Sequence, residues 1–506
     1  MTARSQLLHH LLDEAADRWP DHPAVTGADV TLEYRSLSDA SLRLASWLRE
    51  IGIRRGDRLI IAAPGTPSVA ALTYGASRAG VAFSLLHEQV RGVQLRHVLD
   101  DAKPALLVCD DPGSTAAAEQ RGVHTVSTAE VTAHATDSLA PAAVPAPPED
   151  GPLPVDAVCL IYTSGTTALP KAVVSTHQQM VFAADAIGQV IEYRPDDTIY
   201  NPLPLSFDYG LYQLFLAARA GAHVWLGTPA EVGPPLLANL VRSGATVLPA
   251  VPSVADALAR LLHRPRSPRP ALRLLTNTGA SMPRETLAAL RRKLPRLSVQ
   301  LMFGLTECKR ATVMPPDGDL LRPGSSGRAL PGTEVFTVDE EGRRQPPGAI
   351  GEITVRGPHV MAGYWRRPEM TAQRFHRAHG LFPQLRTGDY GRVDEEGFLY
   401  FEGRRDDIYK ENGFRVSATE VEAAARRIPG VSAAAVLPPG PAEHALLFVC
   451  GALSPAEALA AMREQIEEFK VPQQCVVLER MPLTPNGKTD RKALAAGIRE
   501  AADART

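Results

Sequence analysis

The chain has 506 residues, of which 44% are hydrophobic and 22% charged, and its formal net charge is −2. That length exceeds what one compact core holds, so two or more domains are expected, with the ordinary composition of a globular protein. The near-neutral balance gives no electrostatic reason for nucleic acid or an anionic membrane as partner.

The N-terminal stretch MTARSQLLHHLLDEAADRWP has helical period and early acids, and it lacks the unbroken apolar core of a signal peptide. No run reaches the ~18 apolar residues of a membrane helix, so a cytoplasmic protein is expected. Up to about residue 260, helical windows alternate with short apolar runs such as PALLVCD and SGATVLPAVPSVADALARLL. That alternation predicts parallel sheet in an α/β architecture. LAPAAVPAPPEDGPLP (139–154) reads as an exposed connection. After about 325, EVFTV, GEITVRG and GFLYFEG sit between Gly, Pro and charged turns, which predicts antiparallel strands. From 407 onward a compact α+β unit of about 100 residues is expected. The five cysteines, Cys109, Cys159, Cys308, Cys450 and Cys475, are scattered without CxxC spacing. They point to a reducing compartment and to neither a disulfide framework nor a zinc site.

The segment VCLIYTSGTTALPKAVVSTH (158–177) is an apolar β-type run that ends in Thr-Ser-Gly-Thr-Thr, with Lys171 following. A strand leading into a loop rich in hydroxyls and free N–H groups can hold phosphates. Its spacing differs from GxxxxGK[ST], which disfavours a P-loop ATPase.

This loop resembles the signature of the adenylate-forming superfamily: acyl-CoA synthetases, luciferases and the adenylation domains of nonribosomal peptide synthetases. FGLTE (303–307), LRTGDYGRVDEEGFLYFEGRRDD (385–407), KENGFRVSATEVE (410–422) and PLTPNGKTDRKAL (482–494) continue the resemblance in order. It implies a large N-terminal domain of α/β subdomains with a distorted antiparallel β subdomain over 1–402, and a hinge at 403–407. A small mobile α+β lid would follow over 408–506.

The resemblance also implies roles for individual residues. Thr163, Ser164, Gly165, Thr166, Thr167 and Lys171 would hold the ATP phosphates, with Gly279 and Ala280 also in the nucleotide site. Phe303 would lie against adenine, where the family usually has tyrosine. Thr306 would contact the α-phosphate, and Glu307 would hold Mg2+, a hard cation suited to carboxylate oxygen. Asp389 would bind the ribose with Arg404 nearby, Lys488 would neutralise the reacting carboxylate and phosphate, and Asp406 would be the hinge. Gly413 matches the glycine that the acceptor's phosphopantetheine arm passes. Ala168 and Ala172 stand where the family usually has glycine; altered loop mobility with ATP binding retained is expected.

The acyl pocket carries conflicting signals. Phe207-Asp208 is closer to the amino-acid-activating branch, where the aspartate binds an α-ammonium group. Arg310, on the matching pocket wall with Ala311, cannot lose its charge and needs an anionic partner, either on the substrate or Asp208 itself. Lys309 is expected to point away, because neighbours on an extended segment alternate faces. Tyr209, Tyr212, Val251, Thr276, Thr278 and Met302 complete a polar, partly aromatic wall.

The expected activity is an AMP-forming ligase that adenylates a small or medium polar acid, aryl, hydroxylated or dicarboxylic, and passes the acyl group to a thiol. An amino-acid-activating stand-alone adenylation enzyme and an ATP-dependent nitrite-activating diazotase are the alternatives. ATP and Mg2+ are the expected cofactors. In this 506-residue chain Lys488 is followed by 18 residues, too few for a fused carrier domain. The acceptor is therefore expected to be coenzyme A or a separate carrier protein.

Overall fold

The computed structural model describes residues 6–27, 30–137, 151–163, 170–377, 383–404, 408–411, 414–439, 444–466, 468–484 and 488–503. They fall into two units. The first comprises Met1–Pro323, Gly327–Glu334 and Val355–Leu385; the second comprises Gly324–Ser326, Val335–Thr354 and Arg386–Thr506.

The first unit has the expected alternation. One seven-stranded sheet runs in the order Gly363–Tyr364, Lys171–Thr176, Ala157–Thr163, Ala82–Leu86, Arg58–Ala62, Leu106–Cys109, His124–Val126. From Ala157–Thr163 to His124–Val126 its strands are parallel, and the other two pair antiparallel. In the second sheet, Ser298–Phe303, Leu274–Asn277, Val247–Ala250, Thr198–Asn201, His223–Leu226 and Pro23–Gly27 are successive parallel neighbours. Ala82–Leu86 and Val247–Ala250 are buried along their whole length, as strands covered on both faces must be. One apolar core runs through both sheets, from Leu59 and Phe83 in one to Val247 and Leu274 in the other.

Local chemistry sets the helix ends. Thr66 caps Pro67–Ala79 by accepting the Val69 N–H, and Gly80 closes that helix at φ 71°. Thr176 and Gln179 form a capping box on His177–Gly188. Asp208 opens the helix Asp208–Ala220, which Gly221 ends at φ 73°. Among the described residues no helix is long and apolar enough to cross a membrane.

Glu334–Val338, Gly351–Arg356, Pro383–Val393 and Phe398–Arg404, most of whose residues fall in the second unit, are successive neighbours in a sheet. Further along, Val431–Leu437, Leu446–Gly451 and Gln474–Leu478 form a three-stranded sheet. The helix Ala418–Arg426 contributes Val421, Ala424 and Ala425 to the core shared with Val436 and Leu447 of that sheet.

Three histidines are tied to this packing. The His177 Nδ1 accepts the Leu8 N–H at 3.1 Å, so that nitrogen carries no proton. Burial pushes His177, His223 and His359 down to about 4 from the ordinary 6.5. The unfolded chain therefore takes up protons below pH 6.5 that the folded chain refuses until about 4. Stability is complete above that window and falls as pH drops through it, on the order of 1.4 kcal/mol per pH unit for each histidine. Denaturation midpoints should decline between pH 6.5 and 4, and His223→Gln should have the shallower slope. Equal slopes would show that His223 contributes nothing to acid lability.

Candidate active site

In open parallel sheets, ligands gather at the carboxyl ends of the strands. Here Thr276 and Thr278 stand at that end of Leu274–Asn277, and Met302 and Phe303 at that end of Ser298–Phe303. Beyond Phe303 the chain turns sharply and returns as Thr312–Val313, with Met302 opposite Val313 and Phe303 opposite Thr312. The Ala311 N–H donates to the Phe303 carbonyl at 2.9 Å and closes the turn. Gly304 is required here, because a Cβ at that position would lie 2.2 Å from the Lys309 carbonyl oxygen.

The turn corrects one expectation. Lys309 does not point away from the pocket wall: its backbone has φ 62°, in the left-handed region, and the side chain is buried. The alternation that separates neighbours on an extended strand fails at a left-handed residue. Lys309 and Arg310 consequently reach the same carboxylate. Lys309 Nζ lies 2.9 Å from Asp208 Oδ1, and Arg310 donates through its terminal nitrogen to Asp208 Oδ2 at 3.1 Å. The three residues are 1%, 2% and 4% exposed for Lys309, Arg310 and Asp208. Asp208 gains further from being first in its helix, where the dipole favours negative charge.

Aromatic rings surround the cations. The Arg310 guanidinium carbon is 4.7 Å from the Tyr209 ring centroid, and Lys309 Nζ is 5.6 Å from that of Tyr212. The Tyr209 and Thr276 hydroxyls share a hydrogen bond of 2.6 Å. Met302 and Ala311 are buried beside them in sequence. Two cations face one carboxylate, leaving one positive charge in excess. Arg310 Nε, Lys309 Nζ, Tyr212 Oη and Thr278 Oγ1 are buried without a hydrogen-bond partner, so Lys309 meets Asp208 as an unaligned charge contact. Such an arrangement can accept a further anion.

The residues expected to hold phosphate flank two antiparallel strands, Ala157–Thr163 and Lys171–Thr176, with Thr163 opposite Lys171. Ser164, Gly165, Thr166, Thr167 and Ala168 lie outside the described residues, as do Asp406 and Gly413. Glu307 is buried, and its Oε1 accepts the Tyr364 hydroxyl at 2.6 Å. Lys171 Nζ stands 3.9 Å from the centroid of the same tyrosine ring. Burial pulls the Lys171 pKa down, while the Glu307 charge opposes that shift. A carboxylate with one oxygen anchored suits a hard divalent cation, so Glu307 fits Mg2+. Thr306 and Phe303 are half-buried, Gly279 turns at φ 90° after its strand, and Ala280 is exposed.

In the second unit, Asp389 is buried and its N–H donates to Thr387 Oγ1 at 3.1 Å, with Arg404 opposite it on the next strand. The Thr484 N–H donates to the Lys488 carbonyl at 2.7 Å, and the Lys488 N–H donates to Thr484 Oγ1 at 3.2 Å. Tyr364, which contacts both Glu307 and Lys171, was not singled out in the sequence, where no local signal marks it.

A family model described as AMP-binding enzyme matches residues 12–365, and one for the AMP-binding enzyme C-terminal domain matches residues 420–488. An L-proline–[L-prolyl-carrier protein] ligase of Streptomyces coelicolor is 30% identical over 98% of this chain and 97% of its own length. VinN, solved in complex with L-aspartate, is 38% identical with a TM-score of 0.70, covering 78% of this chain and 98% of VinN. The o-succinylbenzoate coenzyme A synthetase MenE of Bacillus subtilis, solved with ATP and magnesium ion, is 26% identical with a TM-score of 0.82. That match covers 96% of this chain and 99% of MenE.

The charge count around Asp208 sets an order of stabilities. Asp208→Ala strands two buried cations and should cost on the order of 3–5 kcal/mol, whereas Lys309→Ala or Arg310→Ala leaves one pair and should cost less. Chemical denaturation measures all three. Equal losses would mean the cations are not held by the carboxylate.

Proposed function

The chain belongs to the AMP-binding enzyme family, as an ATP-dependent, AMP-forming acid–thiol ligase, and from that premise we propose that its substrate is a short amino dicarboxylic acid of the aspartate type. The observation that carries this reading is the buried Asp208 held by Lys309 and Arg310, one carboxylate to meet an ammonium and two cations to meet a second carboxylate. A monocarboxylic amino acid would bring its ammonium to a site already cationic. A second carboxylate on the substrate would instead meet Lys309 and Arg310, whose Nζ and Nε are buried without hydrogen-bond partners. Asp208 would then accept the ammonium group. The aromatic wall of Tyr209 and Tyr212, both fully buried, favours a short chain. The likeness to VinN, which is solved with L-aspartate, supports the same class.

In the first half-reaction, an oxygen of the substrate's free carboxylate attacks the α-phosphorus of ATP and pyrophosphate departs. In the second, a thiol attacks the acyl carbon, the thioester forms and AMP leaves with the oxygen. Lys171 is assigned the leaving phosphates, Thr306 the α-phosphate, Asp389 the ribose and Lys488 the charge on the reacting carboxylate. Magnesium held by Glu307 supplies charge neutralisation on the phosphates. The acceptor is coenzyme A or a separate carrier protein. The prolyl-carrier-protein ligase and the coenzyme A synthetase among the relatives support one acceptor each.

A dicarboxylic acid without the amine is the second reading, favoured by the likeness to the o-succinylbenzoate synthetase. Without an ammonium to hold, Asp208 would serve only to offset the two cations.

Pyrophosphate exchange across aspartate, glutamate, succinate, o-succinylbenzoate, proline and salicylate separates these readings. Amino dicarboxylates should respond most strongly, and Arg310→Ala should lower their kcat/KM by about 10- to 100-fold, the range for a lost hydrogen bond to charge. Response to proline with an unaffected Arg310→Ala variant would overturn the substrate assignment. Lys488→Ala should reduce adenylation by about 100-fold or more with MgATP binding retained. Near-normal exchange in that variant would remove Lys488 from the chemistry.

A further inference from the structure

We propose that Tyr364 is a positioning residue that fixes the carboxylate of Glu307 for its divalent cation and the ammonium of Lys171 for phosphate. This rests on the assignment of Glu307 and Lys171 given above.

Tyr364 makes a side-chain contact to each of these groups. Its hydroxyl donates to Glu307 Oε1 at 2.6 Å, and its ring faces Lys171 Nζ at 3.9 Å. Its own position is fixed from several directions. The strand Gly363–Tyr364 pairs with Lys171–Thr176, placing Gly363 opposite Val174 and Tyr364 opposite Val173. The Trp365 N–H donates to the Ala172 carbonyl at 2.9 Å, and the Met361 N–H donates to the Glu307 carbonyl at 2.9 Å. This one short segment therefore ties the backbone carrying the lysine to the backbone carrying the glutamate. The Tyr364 N–H reaches Thr371 Oγ1 at 3.0 Å, and its ring meets Phe375 edge-on at 5.5 Å. Trp365 Nε1 donates to the Asp101 carbonyl at 3.1 Å and anchors the far side.

A glutamate carboxylate rotates easily about its last torsion. A tyrosine O–H held on Oε1 restricts that torsion, so that the carboxylate would meet a cation in one orientation. Outer-shell hydrogen bonds of this kind typically change metal affinity by about 10- to 100-fold. The ring acts separately, holding the half-buried ammonium in place by cation–π attraction before ATP arrives.

The two contacts can be dissected in the full chain. Mn2+ binding is read by electron paramagnetic resonance with saturating ATP and no acid substrate, and ATP binding by calorimetry in EDTA. Tyr364→Phe should weaken Mn2+ about tenfold while metal-free ATP binding stays within about twofold. Tyr364→Leu should weaken Mn2+ likewise and also lower metal-free ATP affinity by about fivefold. If Tyr364→Phe binds Mn2+ like the wild type while Glu307→Gln does not, the positioning role is overturned and Glu307 keeps its place. If Glu307→Gln also binds Mn2+ normally, the metal assignment fails and the proposal falls with it. Equal weakening of Mn2+ and metal-free ATP in Tyr364→Phe would reduce the residue to a packing role.

Discussion

The acyl side of the site depends on a carboxylate that cannot be left alone. Asp208 is buried at the first position of its helix, with Lys309 and Arg310 on its two oxygens. Desolvating three charges is unfavourable unless each finds a partner, so the geometry of the returning loop is constrained to deliver both cations at once. That requirement explains why a lysine adopts a left-handed backbone and why a glycine occupies Gly304, where no Cβ fits. It also explains why aromatic faces rather than aliphatic side chains line the cations, since a ring returns part of the lost hydration.

Thr163, Lys171 and Glu307, assigned above to the nucleotide, follow a different principle. They come from strand ends, where backbone direction is fixed by the sheet: Thr163 opposite Lys171, and Glu307 a few residues past Ser298–Phe303. The short strand Gly363–Tyr364 extends the first sheet by one position, and its neighbour Met361 bonds the Glu307 backbone. Lys171 and Glu307 are thereby referenced to one ladder of main-chain hydrogen bonds. Transfer chemistry that relies on positioning and charge neutralisation gains from such a rigid frame.

Much of this was legible before any coordinates. Strand–helix alternation announces the parallel sheets because both faces of each central strand are apolar, and Ala82–Leu86 is buried at every position. The Thr-Glu motif is local: Thr306 and Glu307 lie just past the strand Ser298–Phe303. Arg310 was recognisable as needing an anionic partner, on the substrate or at Asp208, and the fold supplies Asp208. Lys309 was misread because side-chain direction was inferred from an extended backbone, and a single left-handed residue reverses that inference. Tyr364 was invisible because its importance lies in two contacts made across long sequence separations, to Lys171 and Glu307, with nothing unusual in its own surroundings.

Selectivity at the acyl site can be argued from charge alone. A pocket with a single aspartate welcomes any α-ammonium group, and a pocket with a single arginine welcomes any second carboxylate. Joining the two groups internally makes each less available, so neither a simple amino acid nor a simple diacid recovers the full interaction. A substrate bearing both groups would insert into the existing cluster, its second carboxylate meeting the cations and its ammonium meeting Asp208. On the proposed reading the excess cation selects the ligand's second carboxylate, while the ammonium, which adds that charge back, is selected by Asp208 alone. Specificity in such a site comes as much from the penalty imposed on partial matches as from the contacts offered to the complete one.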